Sequence, residues 1–327
     1  MPSTLIVPVA TISNIRPHPN ADRLEIVEVL GWQCCVAKGD YAIGDPVVYF
    51  PPDCVLPDSV AETLGVAQYL SNGRVKIVKL RGEVSMGFVI HAPSEIPIGQ
   101  NVAEQFNATK YEPPVRAAQA GPVSNEHPLF VRYTSIENIR HYPAVLEGME
   151  VVATEKIHGT NARVGRIDGE LVCGSHKTQR KIDDPFYVFP LRLNSITTFL
   201  NSYGSSIQTI LFGEIYGKGI QNLTYGVERG FRVFDIFIDG KYLDYDHMLS
   251  ICIEYGIETV PELYVGTFDS AIISNLTTGT STLAEHIREG LVVRPLKEQW
   301  LHRCGRVIFK SINNDYLLSK HSDYKEE

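Results

Sequence analysis

No run in this 327-residue chain approaches the roughly 20 consecutive apolar residues that a membrane-crossing helix needs, so no membrane partner is expected. Cysteine is sparse: six residues stand at 34, 35, 54, 173, 252 and 304, and no two form a C-x-x-C pair. That spacing offers neither a zinc site nor a disulfide framework. The start, Met1-Pro2-Ser3-Thr4-Leu5, lacks the basic and apolar regions of a secretory signal, and a cytoplasmic protein with reduced thiols is expected. Positive charge is not in excess either. A net charge of −8 speaks against a general nucleic-acid coat. It leaves room for a local patch: from Arg294 to Lys320, six basic residues stand against two acidic ones, a local +4.

What is present is an ordinary globular balance, 44% hydrophobic and 21% charged, and enough length for two domains. Residues 3–104 read as all-β. Short apolar runs at Leu5–Ile15, Leu24–Leu30, Cys34–Ala37, Val47–Phe50, Val75–Leu80 and Gly87–His91 alternate with turn residues such as Ser71-Asn72-Gly73. A small barrel or sandwich over 1–105 is expected. Arg74, Lys76, Lys79 and Arg81 would give it a basic strand, with Arg74 and Lys76 on one face as candidate nucleic-acid contacts. Residues 106–126, with Pro113, Pro114 and Pro122 and no apolar periodicity, read as a linker.

From 127 to 327 the pattern is mixed. Strands are expected at 149–155, 161–167, 170–174, 208–216, 231–238, 290–294 and 305–311, and helices at 190–203, 245–255 and 281–288. In the second helix Met248, Cys252 and Tyr255 share an apolar face after Asp244 or Asp246 as cap, and Gly256 ends it. Strands and helices without a repeating βαβ beat favour α+β with antiparallel sheets.

Polar residues stand where these strands end. Glu155-Lys156-Ile157-His158-Gly159-Thr160-Asn161 follows an apolar strand. A lysine delivered there, desolvated and beside other cations, can become a neutral amine and a nucleophile. Gly159 would permit close approach of backbone or ligand. Glu214 lies inside Leu211–Gly217, Phe234 precedes Asp235, Glu289 opens Glu289–Arg294, and Lys310 closes Arg306–Ser311. Each alone has a plain explanation as a strand-edge charge or a core ring.

Their order and wording together resemble the covalent nucleotidyltransferase superfamily of ligases and capping enzymes. Glu-Lys-Ile-His-Gly-Thr-Asn looks like the RNA ligase branch of the second phage ligase and the kinetoplastid editing ligases. The barrel wording His18–Glu25 followed by Gly44–Val48 resembles the tRNA-binding type of OB-fold. A barrel placed first, together with Ser135–Arg140, resembles the Naegleria and Deinococcus type of RNA ligase. The resemblance implies an OB-like β-barrel followed by an antiparallel-sheet, ATP-grasp-like ligase domain. It implies an ATP-dependent RNA ligase that joins 3′-OH and 5′-phosphate ends, with RNA or an RNA-containing nicked duplex as partner.

The roles it implies are specific. Lys156 would be the nucleophile and Lys310 would sit against the α-phosphate. Glu289 would bind Mg2+ or Mn2+, with Glu214 supporting the metal or binding the ribose. Phe234 would stack on adenine, Glu155 would contribute near the base, and Asn161 would lie close to the ends being joined. Two departures stand out. Ser175-His176-Lys177 replaces the usual Ser-Arg, so His176, Lys177 or Arg180 would face the nucleotide sugar. Ile312 replaces the second lysine of K-x-K, and Lys320 is too distant by spacing to substitute. A capping-type guanylyltransferase and a non-catalytic RNA-binding protein are the competing readings.

Overall fold

The computed structural model describes residues 5–111, 121–142, 144–204, 206–302 and 304–319. They divide into two compact units, one holding 5–111 with 317–319, the other 121–316.

In the first unit, strands run in the order Trp32–Ala37, Leu24–Val29, Val9–Pro17, Pro46–Phe50 and Phe88–His91, all antiparallel. The hairpin Ile77–Leu80/Glu83–Met86 closes on the first of these. Ser85 Oγ accepts from Cys35 N at 3.0 Å, and Gln33 Nε2 donates to Val84 O at 2.6 Å. The curled sheet encloses Val7, Val9, Val48, Phe50, Leu56 and Val102. This is the expected OB-like barrel.

Its basic strand is shorter than expected. Pairing covers only Ile77–Leu80, and the chain reverses at Arg81 and Gly82, with φ of 45° and 101°. Arg74 is corrected as a nucleic-acid contact, being only 5% exposed. Its guanidinium grips Asp53 Oδ1 at 2.8 and 3.0 Å and lies 3.5 Å from the centre of the Tyr111 ring. Lys76 is half-buried, while Lys79 and Arg81 are exposed.

The second unit is built on two sheets. The first runs Glu137–Asn138, Phe309–Ile312, Gly290–Pro295, Glu150–Glu155, Glu262–Thr267, antiparallel except for its first pair. The second runs Gln179–Arg180, Glu170–Ser175, Thr160–Ile167, Gln208–Tyr216, Gly230–Ile238, Lys241–Tyr242, antiparallel throughout. Alternation sends Val151 and Ala153 to one core and Val152 to another, so strand Glu150–Glu155 is buried on both faces. Helices Asn194–Ser202 and Tyr245–Tyr255 cover the second sheet through Ile196, Phe199, Leu200, Met248 and Cys252. Each such aliphatic or aromatic side chain contributes roughly 1.5–3 kcal/mol on burial. Gly256 ends the second helix at φ 64°, as expected.

Three expectations are corrected. Residues 281–288 are not helical; the hydroxyls of Ser281 and Thr282 and the Thr282 amide turn to Glu155, and Thr280 bridges Ile287. The helix lies earlier, at Ser270–Thr277, where Asp269 Oδ1 accepts from Ala271 N and Ile272 N. Strand 305–311 is broken into Gly305–Arg306 and Phe309–Ile312. The expected linker is also partly structured. Thr109–Lys110 pairs with Cys54–Val55, Val123 bridges Arg180, and Glu126 accepts from Gln179 N at 3.1 Å. Pro113, Pro114, Arg303 and Lys320 lie outside the described residues.

Candidate active site

The stretch Lys156–Gly159 is the crossover between the two sheets: strand Glu150–Glu155 ends in the first, and Thr160 begins in the second. Its shape is set from both sides. Lys156 N donates to Gly290 O at 3.0 Å, and Thr160 pairs with Ile215. A Cβ at Gly159 would fall 2.4 Å from Ile215 O and 2.9 Å from Glu214 Cγ, so only glycine fits there.

Lys156 reaches Glu289, with Nζ 2.6 Å from Oε1, the lysine side chain 29% exposed and the carboxylate 7%. Oε2 lies 3.4 Å from His158 Nδ1, and that nitrogen is also 3.1 Å from Tyr316 Oη. Burial alone would raise the Glu289 pKa. The charge of Lys156 and the His158 contact outweigh it and hold the carboxyl at about 2. The neighbour of the nucleophile candidate is therefore an anion, where the sequence suggests cations. Asn313 fixes the approach: its N donates to Glu289 O at 2.9 Å, and its Nδ2 to Arg288 O at 3.0 Å.

Lys310 stands on the strand next to Glu289, opposite Val292 and two residues before Ile312, which pairs with Gly290. Ile312 itself is buried, an environment that suits its apolar side chain. Asn161 and Glu214 are register partners across the second sheet. Phe234 is the extra residue of a bulge, since Phe212 pairs with Asp235 and Gly213 with Val233. A bulge re-aims its side chain. Phe234 meets Tyr133 edge-on at 4.9 Å and shares a core cluster with Phe212, Ile308 and the half-buried Val292. Asn161 and Glu214 thus flank the crossover, while Lys310 stands two strands from it in the first sheet and Phe234 on a strand of the second.

Other expected residues are placed differently. The Glu155 carboxylate is buried and accepts from Ser281 Oγ, Thr282 N and Thr282 Oγ1, so it anchors a loop. His176 is half-buried in the turn after strand Glu170–Ser175; burial, then Arg163, Lys177 and Arg132, push its pKa down, which favours the neutral ring. Lys177 in the same turn is exposed. Arg180 is buried and donates to Gly121 O at 2.6 Å.

The expected +4 patch is corrected too. Arg294 and Arg306 are buried on Asp235 Oδ2 at 2.9 and 2.7 Å, and Tyr133 Oη donates to the same oxygen at 2.8 Å. Arg306 also forks onto Glu298 at 2.6 and 2.7 Å and stacks 3.6 Å from the Tyr242 ring centre. This cluster ties the two sheets together. A count of charges is blind to it, because burial is not written in composition.

Among the described residues, no group of three or more His, Cys, Asp or Glu converges on a metal position. Glu289 nonetheless fits a shared ion: it is a buried, ionised carboxylate whose two oxygens face Lys156 Nζ at 2.6 Å and His158 Nδ1 at 3.4 Å. A Mg2+ or Mn2+ held by one or two carboxylates takes its remaining ligands from phosphates and water.

Comparison with known proteins gives the family and the fold. The RNA ligase family profile matches residues 149–312, and an OB-fold domain profile matches residues 6–92. A Naegleria gruberi RNA ligase variant solved with AMP and Mn is similar at TM-score 0.81 and 24% identity, over 96% of this chain and 98% of that one. A second variant, with ATP and Mn, gives the same values. An apo variant of that ligase matches at TM-score 0.81 and 25% identity, again over 96% and 98%. A lysine at a two-sheet crossover, a carboxylate on it, a second lysine on the next strand and a barrel before them lead to one conclusion: the chain belongs to the RNA ligase family.

Proposed function

We propose that the chain is an ATP-dependent ligase that seals nicks bearing 3′-OH and 5′-phosphate ends in RNA. The observation that carries the reading is Lys156 at the sheet crossover, 2.6 Å from Glu289, with Lys310 on the adjoining strand. Lys156 Nζ, after its ammonium gives up a proton to solvent, attacks the α-phosphorus of ATP; the N–P bond forms as the bond to pyrophosphate breaks and pyrophosphate leaves. AMP passes to the 5′-phosphate end, and the 3′-OH displaces it as the phosphodiester forms. Glu289, with Glu214, would hold Mg2+ or Mn2+, which supplies positive charge to phosphate oxygens. The chain's own residues do the rest. Lys310 offsets charge gathering at the α-phosphate. Phe234, set off by its bulge, offers a ring face to adenine. Asn161, register partner of Glu214, addresses the ends being joined. His176 and Lys177 flank the sugar side, and the barrel, through Lys76, Lys79 and Arg81, grips nucleic acid.

A protein that must align a 3′-OH for attack reads the sugar that carries it. The test uses four nicked duplexes differing in ribose or deoxyribose on either side of the nick. Ribonucleotides on the 3′-OH side are expected to suffice, while the reversed nick stalls as the adenylylated strand. Equal sealing of all four would overturn the RNA preference. Labelling by GTP in place of ATP would indicate capping-type chemistry.

A further inference from the structure

The loop Gly217–Arg229, between strands Gln208–Tyr216 and Gly230–Ile238, does more than connect them. Ile220, Leu223 and Tyr225 are buried although the stretch is rich in polar residues and glycine. Two of its side chains reach the crossover. Tyr225 Oη accepts from His158 N at 2.7 Å, and Gln221 Nε2 donates to Gly159 O at 3.2 Å. The Tyr225 ring is 5% exposed and wedged edge-on against Tyr216 at 5.1 Å and His286 at 4.7 Å. His286 belongs to the loop that Glu155 anchors and that leads into Glu289.

We propose that Tyr225 is a positioning residue for the lysine nucleophile: its phenol oxygen holds the His158 amide, and so fixes the crossover on which Lys156 stands. The sheets fix Lys156 N and Thr160 at either end; the amide between them lies on the turn, where strand pairing does not reach. A phenol supplies an acceptor there without a negative charge that would compete with Glu289 for Lys156. Its ring packing sets the oxygen's position, and the bond is to the backbone amide, while the His158 side chain reaches Tyr316 and Glu289 instead. Tyr225 acts on where the amine sits and not on how ATP is held. This inference rests on the reading of Lys156 as nucleophile.

The test compares the full-length wild type, Tyr225→Phe and Tyr216→Phe in single-turnover formation of the covalent AMP adduct across ATP concentrations, with melting temperatures measured in parallel. Tyr225→Phe keeps the ring and removes the acceptor. Tyr216→Phe removes the neighbouring hydroxyl, which accepts from Arg232 Nε at 3.0 Å and does not touch the crossover. Misplacing a reacting group by about 1 Å costs up to ~100-fold in rate. Tyr225→Phe is therefore expected to lower the maximal rate by about 10- to 100-fold, with the ATP concentration dependence unchanged within about twofold. Tyr216→Phe should match wild type. The inference is overturned if Tyr225→Phe keeps the wild-type maximal rate, if only its ATP dependence changes, if Tyr216→Phe loses as much, or if the loss follows a lowered melting temperature. A wild type that forms no adduct overturns the nucleophile reading instead, which separates the two failures.

Discussion

Asp235 and Glu289 are both buried carboxylates kept ionised by cations, yet their surroundings differ in one way. Asp235 is enclosed: two arginines and a tyrosine hydroxyl converge on one oxygen, and burial leaves no room for anything else. Glu289 is held differently: a lysine that is 29% exposed lies 2.6 Å from one oxygen, and the buried His158 lies 3.4 Å from the other. Planar guanidinium forks suit a permanent cluster, whereas an ammonium on a flexible stem can leave. If Lys156 is the nucleophile, as proposed, then strength of charge does not mark the site; the mark is a buried charge whose partner can be exchanged.

Breaking the closed cluster should cost most. Arg306→Ala strips Asp235 and Glu298 of a shared partner, and removal of one member of a buried pair costs about 3–5 kcal/mol. Denaturant unfolding should register that loss, and Arg306→Ala with unchanged stability would show that Asp235 is held without it.

The Glu289 cluster should appear first in acid unfolding. The Glu289 pKa is lowered in the folded chain from an ordinary 4.5 to about 2, so its contribution is present above pH 4.5 and is lost as pH falls toward 2. The full window is worth on the order of 3 kcal/mol, at about 1.4 kcal/mol for each tenfold change in proton affinity. Glu289→Gln should flatten the fall in stability between these pH values. It should not remove it, because Asp235 is also lowered: burial opposes this, but Arg294 and Arg306 prevail. An identical acid profile in Glu289→Gln would contradict the ion pair.

The same variant, assayed near neutral pH, should slow both adduct formation and sealing by ~100-fold, which is about 2.7 kcal/mol of transition-state stabilisation. Unchanged rates through a metal titration would place the ion elsewhere.

What can be read from the sequence follows from the same contrast. Lys156, Glu214, Glu289 and Lys310 stand out because each interrupts or borders a short, continuous apolar run of the kind that marks a strand buried on both faces. Helix Tyr245–Tyr255 is legible from its apolar face and Gly256. Residues 281–288 mislead because local helical propensity does not register that Glu155 binds Ser281 and Thr282. Arg294 and Arg306 count as surface charge in the sequence because their partner, Asp235, is distant along the chain. Tyr225 gives no signal, since its function depends on a loop folding back 67 residues onto one amide. The bulge at Phe234 is equally silent, as bulges are set by pairing on both strands.

If the exchangeable partner, Lys156, carries the nucleotide, labelling will show it directly. Wild type and Lys156→Ala are incubated with α-labelled ATP and Mg2+ or Mn2+, and the label is then mapped onto peptides. The expected result is an acid-labile adduct on the peptide containing Lys156, none in Lys156→Ala, and sealing of a pre-adenylylated nick retained by that variant. Label at wild-type level in Lys156→Ala, or mapped to a different lysine, would contradict it.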